Sequence, residues 1–296
     1  MQSSSPFLRR LAVLSAALIL VSACSDDGGD NGAGTVASTE TVAADTTGAP
    51  GTDAPSTDAP TTEVPPTDPP TTDAAVGHLR GTAYTFNTPD PIAGATITIV
   101  ELPGLSATTA ADGSYELEVP AGSSVTPYIE AEGHFGVHTQ TFTVDEAHDG
   151  LEIDGVNFQT PTVGIYDGLK ALVSGFTGKD PFEGGSCVIV TTVGDARMVG
   201  MTFDEFIEFH PHGVEGATVS IEPAVATPIY FNEDVLPDAT QLTSSIDGGV
   251  LWPNVPPGDY TLTAQKDGME FVTVHATCEA GWVVNANPVH GLHAIP

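Results

Sequence analysis

Basic residues are scarce in this chain: 7 Lys and Arg stand against 39 Asp and Glu, a formal charge of −32. Such a surface does not suit nucleic acid, whose binding needs cationic contacts to phosphate. It is also repelled by anionic lipid headgroups, so any membrane attachment has to come from elsewhere. Cysteine is almost missing, with three residues and no Cys-x-x-Cys spacing, which argues against a zinc or redox pair. Gly-x-Ser-x-Gly, a phosphate-binding glycine loop and a zinc-protease helix are absent from the sequence, so no nucleophile elbow or nucleotide cradle is on offer. Carboxylates are too numerous for any one pair to mark an acid–base site. Long apolar runs are missing too: Leu11–Val21 falls short of the roughly 20 residues that span a bilayer. No cofactor is expected.

What the N-terminus does contain is ordered. Arg9 and Arg10 precede the apolar run, and Val21-Ser22-Ala23-Cys24 follows it. A charged start, a short apolar centre and small residues before a cut form a secretory leader. Val-Ser-Ala-Cys resembles the lipobox of bacterial lipoproteins. The resemblance implies cleavage after residue 23, acylation of Cys24 and a globular part held outside the cytoplasm on the cell membrane. Loss of Arg9 and Arg10 leaves 5 basic residues against 39 acidic, a charge of −34. Diacylation makes the anchoring stable, each buried CH₂ contributing about 0.8 kcal/mol.

Residues 24–76 form a Thr/Asp/Pro/Ala/Gly tract without Lys, Arg or aromatics. It cannot bury enough apolar surface to offset the entropy of ordering. We read it as an extended, disordered spacer whose Ser and Thr are open to O-glycosylation. From Gly77 onward short β-rich runs alternate with Gly, Pro, Asn and Asp turns, as in Tyr115-Glu116-Leu117-Glu118-Val119 after Asp112-Gly113. That texture predicts an all-β architecture of packed sheets.

A pattern recurs within it. Pro91-Ile92-Ala93-Gly94-Ala95-Thr96-Ile97, Asp112-Gly113-Ser114-Tyr115, Val119-Pro120-Ala121-Gly122 and Ala131-Glu132-Gly133 are answered by a second set: Gly213-Val214-Glu215-Gly216-Ala217-Thr218-Val219, Asp247-Gly248-Gly249-Val250, Val255-Pro256-Pro257-Gly258 and Lys266-Asp267-Gly268. The last three landmarks lie 135, 136 and 135 positions apart, but Gly94 and Gly216 only 122, so the second copy carries about 13 extra residues between Ile221 and Asp247. The repeat resembles the carboxypeptidase regulatory-like family, with its prealbumin-like (transthyretin-like) Greek-key β-sandwich. The second copy departs from the family pattern at Val250, where an aromatic is usual, and in its insertion. The resemblance implies two accessory modules without catalytic residues: a first sandwich at 77–159, a helical connector at 160–185 and a second sandwich with insertion at 186–296. In the connector Ile165, Leu169, Leu172 and Val173 share one helical face, with Thr160-Pro161 as its start. Thr202 and Glu205 have capping-box spacing.

With Cys24 acylated, Cys187 and Cys278 remain, and an even pair in an exported protein reads as a disulfide. A metal or nucleophile pair is the alternative. Tyr230 and Phe231 of the insertion, with Trp252 and Trp282, are candidate ligand contacts, against core packing as the competing reading for both tryptophans. Among nine histidines, His210-Pro211-His212 offers candidate metal ligands. Intradiol dioxygenases hold iron on a related sandwich through two Tyr and two His, but Tyr166, Tyr230, His210 and His212 do not match that spacing. These readings point to a non-enzymatic surface lipoprotein that binds or scaffolds an envelope or extracellular protein or glycan. A metal-binding or metal-dependent surface enzyme using the His210/His212 region is the alternative.

Overall fold

The computed structural model describes residues 75–296, except 226 and 287. The expected leader, the Cys24 anchor and nearly all of the expected spacer lie outside the described residues. The described part is all-β, with two hydrophobic cores, a connecting helix and a second short helix.

Around the first core run β1 (Val76–Thr85), β2 (Thr96–Ile99), β3 (Leu102–Thr108), β4 (Ser114–Pro120), β5 (Ser124–Val125), β6 (Pro127–Glu130), β7 (Val137–His138), β8 (Phe142–Thr143), β9 (Glu152–Ile153) and β10 (Phe158–Thr160). Around the second run β11 (Cys187–Thr192), β12 (Thr218–Glu222), β13 (Ile229–Phe231), β14 (Pro237–Asp238), β15 (Gly249–Val255), β16 (Gly258–Gln265), β17 (Val274–Cys278) and β18 (Val283–Ala286). Between them lies α1 (Val163–Thr177), and α2 (Phe203–Glu208) follows β11. The alternation in β4 buries Tyr115, Leu117 and Val119 and exposes the residues between them, because successive side chains leave a strand on opposite faces. Leu79, Ile97, Leu117, Ile129 and Phe158 fill the first core; Ile189, Trp252, Leu262 and Val284 fill the second. Each such burial contributes about 1.5–3 kcal/mol.

The two cores are built alike, down to single hydrogen bonds. β1 pairs with β4 as β11 pairs with β15, each antiparallel. Thr109 Oγ1 accepts from Ala95 N at 2.9 Å and donates to Ile92 O at 2.6 Å. Ser244 Oγ accepts from Ala217 N at 2.9 Å and donates to Val214 O at 2.5 Å. Gly113 and Gly248 both hold positive φ, and a Cβ there would meet Ala83 O at 2.3 Å or Val193 O at 2.5 Å, so neither position admits a side chain. The step from 135 to 136 in the repeat spacing coincides with a bulge between β11 and β15, where Asn254 takes φ +56°.

The insertion forms no loose loop: it adds β13 and β14 to the outer edge of β15. Helix α1 starts later than Thr160-Pro161 suggests. Thr160 still belongs to β10, paired with Thr85, and Thr162 is the N-cap, accepting from Ile165 N at 3.4 Å. Gly178 closes the helix in the left-handed conformation, as glycine does most readily. The Thr202–Glu205 capping box is formed at α2.

Candidate functional site

One sheet of nine strands crosses both cores, in the order β14-β13-β15-β11-β18-β7-β6-β2-β3. The join is the parallel pairing of β18 with β7 at Val284 and His138. Over it, His138 is sandwiched between Tyr128, at 4.3 Å between ring centroids, and Trp282, at 3.7 Å and 11° from parallel. Burial pushes the His138 imidazole down to about 4, against the opposing effect of a hydrogen bond that the ring donates to the Val283 backbone. Its Nδ1 is buried without a hydrogen-bond partner.

Further bonds cross the same seam. Thr141 N donates to His275 O at 2.8 Å, and Thr277 N donates to Thr141 Oγ1 at 3.2 Å. Gly291 N donates to Gln140 Oε1 at 3.1 Å, Asn157 Nδ2 to Pro288 O at 3.3 Å, and His290 Nε2 to Asp154 O at 2.8 Å. Buried polar groups satisfied across a junction make it directional as well as apolar.

Beside the seam, α1 roofs a cavity of about 100 Å³. Its floor is the outward face of β11 and β15, through Val188, Val190 and Leu251. Val137 and Val283 come from the two seam strands, and Phe231 and Pro237 come from the insertion. The roof is Tyr166, Leu169 and Val173 of α1, with Pro181 and Phe182 from the turn after it. Phe135 stacks on Tyr166 at 3.6 Å, and Lys170 bonds Asp180 at 2.9 Å while lying over the Phe182 ring. Burial, aided by Asp180 and Asp167, pushes the Tyr166 phenol up to about 12. Val173 is the one buried residue of α1, and Ile165, Tyr166, Leu169 and Leu172 are half-buried.

The expected site residues fall in different places. Trp252 has no exposure and Tyr230 only 4 %, its hydroxyl accepting from Val219 N at 3.1 Å inside the second core. Neither side chain presents a surface to a large ligand, because the β15 and β13 alternation turns both inward. Phe231, one residue on, faces the cavity. Trp282 is half-buried in the seam stack. Cys187 and Cys278 are joined by a disulfide spanning 91 positions. His212 is packed on Phe206 and donates from Nε2 to its carbonyl at 3.1 Å, and burial first, then His210, lowers it to about 4. No group of three or more His, Cys, Asp or Glu side chains that could hold a metal occurs among the described residues.

The cavity itself is missed by motif reasoning, although a signal for it exists. Cys187-Val188-Ile189-Val190 is apolar without alternation, which marks a strand covered on both faces.

The class defined by this architecture is an all-β protein of two fused sandwich modules. No protein family and no curated protein match the chain. Among solved structures, the Bacillus anthracis TIE protein is 14 % identical with a TM-score of 0.24 over 75 % of this chain; the match spans about a third (34 %) of that protein. The shaft pilin SpaA from Lactobacillus rhamnosus GG is 11 % identical, TM-score 0.22, covering 75 % of this chain and 98 % of the pilin. The minor pilin GBS52 of Streptococcus agalactiae is 10 % identical, TM-score 0.25, covering 74 % and 97 %. Similarity at this level defines no family. Among the described residues no helix is long and apolar enough to cross a membrane.

Proposed function

We propose that this chain is an exported lipoprotein, acylated at Cys24, that carries two carboxypeptidase regulatory-like sandwich modules on an acidic spacer. Its role is to bind or scaffold an envelope or extracellular protein or glycan, without catalysis of its own. The observation that carries this reading is the nine-stranded sheet. The shared sheet and the further hydrogen bonds across the seam support this reading, since joined modules suit presentation of a fixed surface. A string of independent spacers would not need such a junction. The Thr/Asp/Pro tract and the lipobox-like Val21-Ser22-Ala23-Cys24 supply the means of display.

Metabolic labelling with an alkyne fatty acid, followed by fractionation and protease treatment of intact cells, tests this. The wild-type chain takes up label, sediments with membranes and is cut from outside; Cys24→Ala loses the label and is released. Equal labelling of the two proteins, or protection of the wild type from external protease, overturns it.

A further inference from the structure

We propose that the bare outer edge of β4, at Glu116 and Glu118, docks an extended basic segment of a partner protein, which adds antiparallel as an extra strand. The inference rests on the scaffolding role proposed above and narrows it to one surface and one class of partner.

The register of β4 on β1 shows which backbone groups are left over. Ala83 N donates to Gly113 O at 2.9 Å. In this antiparallel pair residues 115, 117 and 119 therefore bond to β1, and residues 114, 116, 118 and 120 face outward. The other side of β1 agrees: His78 N, Arg80 O and Thr82 N bond to Leu151 O, Val156 N and Asn157 Oδ1. Ser114 is closed by its own turn, through Asp112 Oδ1 and Ala110 N, and Pro120 O accepts from Ser123. Glu116 and Glu118 have no such closure. β4 pairs with β1 alone, so two N–H and two C=O groups stand free of partners among the described residues.

The second module shows what fits there. Val193 N donates to Gly248 O at 2.8 Å, the counterpart of the Ala83–Gly113 bond, which makes Leu251 the counterpart of Glu116. Leu251 is not bare: Ile229 of β13 pairs with it antiparallel. The first copy lacks the insertion that supplies β13, so the same strand position exists with no segment of its own to fill it. Three other outer strands are blunted, as edges usually are. β14 is two residues long. β3 carries Pro103 and a register shift against β2, and on β12 the Tyr230 hydroxyl accepts from Val219 N.

Charge selects the occupant. A strand added beside Glu116 and Glu118 sets alternate side chains on their face of the sheet. That face holds Glu116, Glu118, Glu152 and Asp154 around the guanidinium of Arg80. Glu118 is exposed and makes no ion pair among the described residues. A second copy would set glutamate against glutamate, which is destabilising. Lysine or arginine at alternate positions is favoured instead, and the −32 charge of the chain steers such a segment in. Backbone bonds supply the affinity and the acids the selectivity.

The test uses the full chain in neutral detergent and four capped peptides. One alternates valine and lysine, one valine and glutamate, and two repeat the valine–lysine sequence N-methylated either at lysine or at valine. With lysine opposite Glu116 and Glu118, the lysine N–H turns toward β4 and the valine N–H turns away. Fluorescence anisotropy is expected to show saturable binding of the valine–lysine peptide, kept on valine methylation. Lysine methylation, or glutamate in place of lysine, is expected to weaken it at least tenfold. Hydrogen–deuterium exchange in β4 should slow at least tenfold in the complex. Glu118→Pro removes one outward N–H without touching the β1 ladder and is expected to weaken binding tenfold or more. Should that variant unfold, the two methylated peptides decide alone. The proposal is overturned by no saturable binding of the valine–lysine peptide, by unchanged exchange in β4, or by full binding to folded Glu118→Pro. Equal binding of the two methylated peptides, or of the glutamate peptide, overturns it as well, since charge attraction alone would then suffice or charge would not matter. Labelling of Cys24 is read separately, so either inference can fail without the other.

Discussion

Trp282 of the second module lies flat against His138 of the first, ring centroids 3.7 Å apart and planes 11° from parallel, directly over the strand pair that joins the two halves. This single contact combines the apolar burial of an indole with the geometry of the seam. Trp282→Ala is therefore expected to cost roughly 2 kcal/mol and to loosen the junction more than either core. Urea unfolding followed separately by a first-module and a second-module probe checks it. One coincident transition in the wild type should split into two in the variant; coincident transitions in both would show that the coupling of the halves does not depend on Trp282.

Acid should weaken the fold through the same residue. His138 and His212 are held near 4 by burial, below the ordinary value near 6.5. Between those values the unfolded chain binds protons that the fold refuses, so stability is full above pH 6.5 and falls as pH drops toward 4, by up to about 1.4 kcal/mol per pH unit for each histidine. Asp247 acts in the opposite direction: burial raises it to about 6, so its contribution falls as pH rises from about 3.8 to 6. Burial lowers His290 and His293 as well, so the histidines outweigh the one aspartate and protons are taken up on unfolding near pH 5. His138→Phe keeps a ring in the stack and should remove one histidine's share of the slope, read from urea midpoints at pH 5 and pH 7.

The duplicated hydroxyl offers a symmetric test. Thr109 and Ser244 each close a strand entrance with the same pair of hydrogen bonds. Thr109→Val and Ser244→Ala each leave a buried Ala N–H unpaired, a loss of about 1–3 kcal/mol. Calorimetry should find the two losses similar. A harmless Ser244→Ala would mean that the insertion, which ends beside it, has taken over the role.

Reduction should destabilise the second module most. The Cys187–Cys278 loop of 91 positions corresponds to about 4–5 kcal/mol of chain entropy in the unfolded state. Thermal unfolding with and without a phosphine reductant measures this, and an unchanged midpoint would count against a stabilising crosslink.

Much of this was legible from the residues. The Asp-Gly turns, the alternation of β4 and the spacing of the two copies lead to paired sandwiches, since turn chemistry and period-two burial are local properties. The Thr202–Glu205 box was visible for the same reason. The fate of the aromatics was not. Tyr230 and Phe231 are neighbours in sequence, yet one enters the second core and the other the cavity, and only the register of β13 on β15 decides which. His138 gave no hint of the seam, because its partner Trp282 is 144 positions away and their meeting depends on how two modules dock.

The pairing of β18 with β7 has a consequence for biogenesis. His138 waits for Val284, 146 positions later, and a chain emerging N-terminus first completes its early module long before that partner exists. During the interval β7 is a bare strand edge, open to any stray strand nearby. A chain stopped short of residue 283 would keep that edge permanently sticky, so the last strands act as a built-in check on completeness, with aggregation as the fate of an unfinished copy.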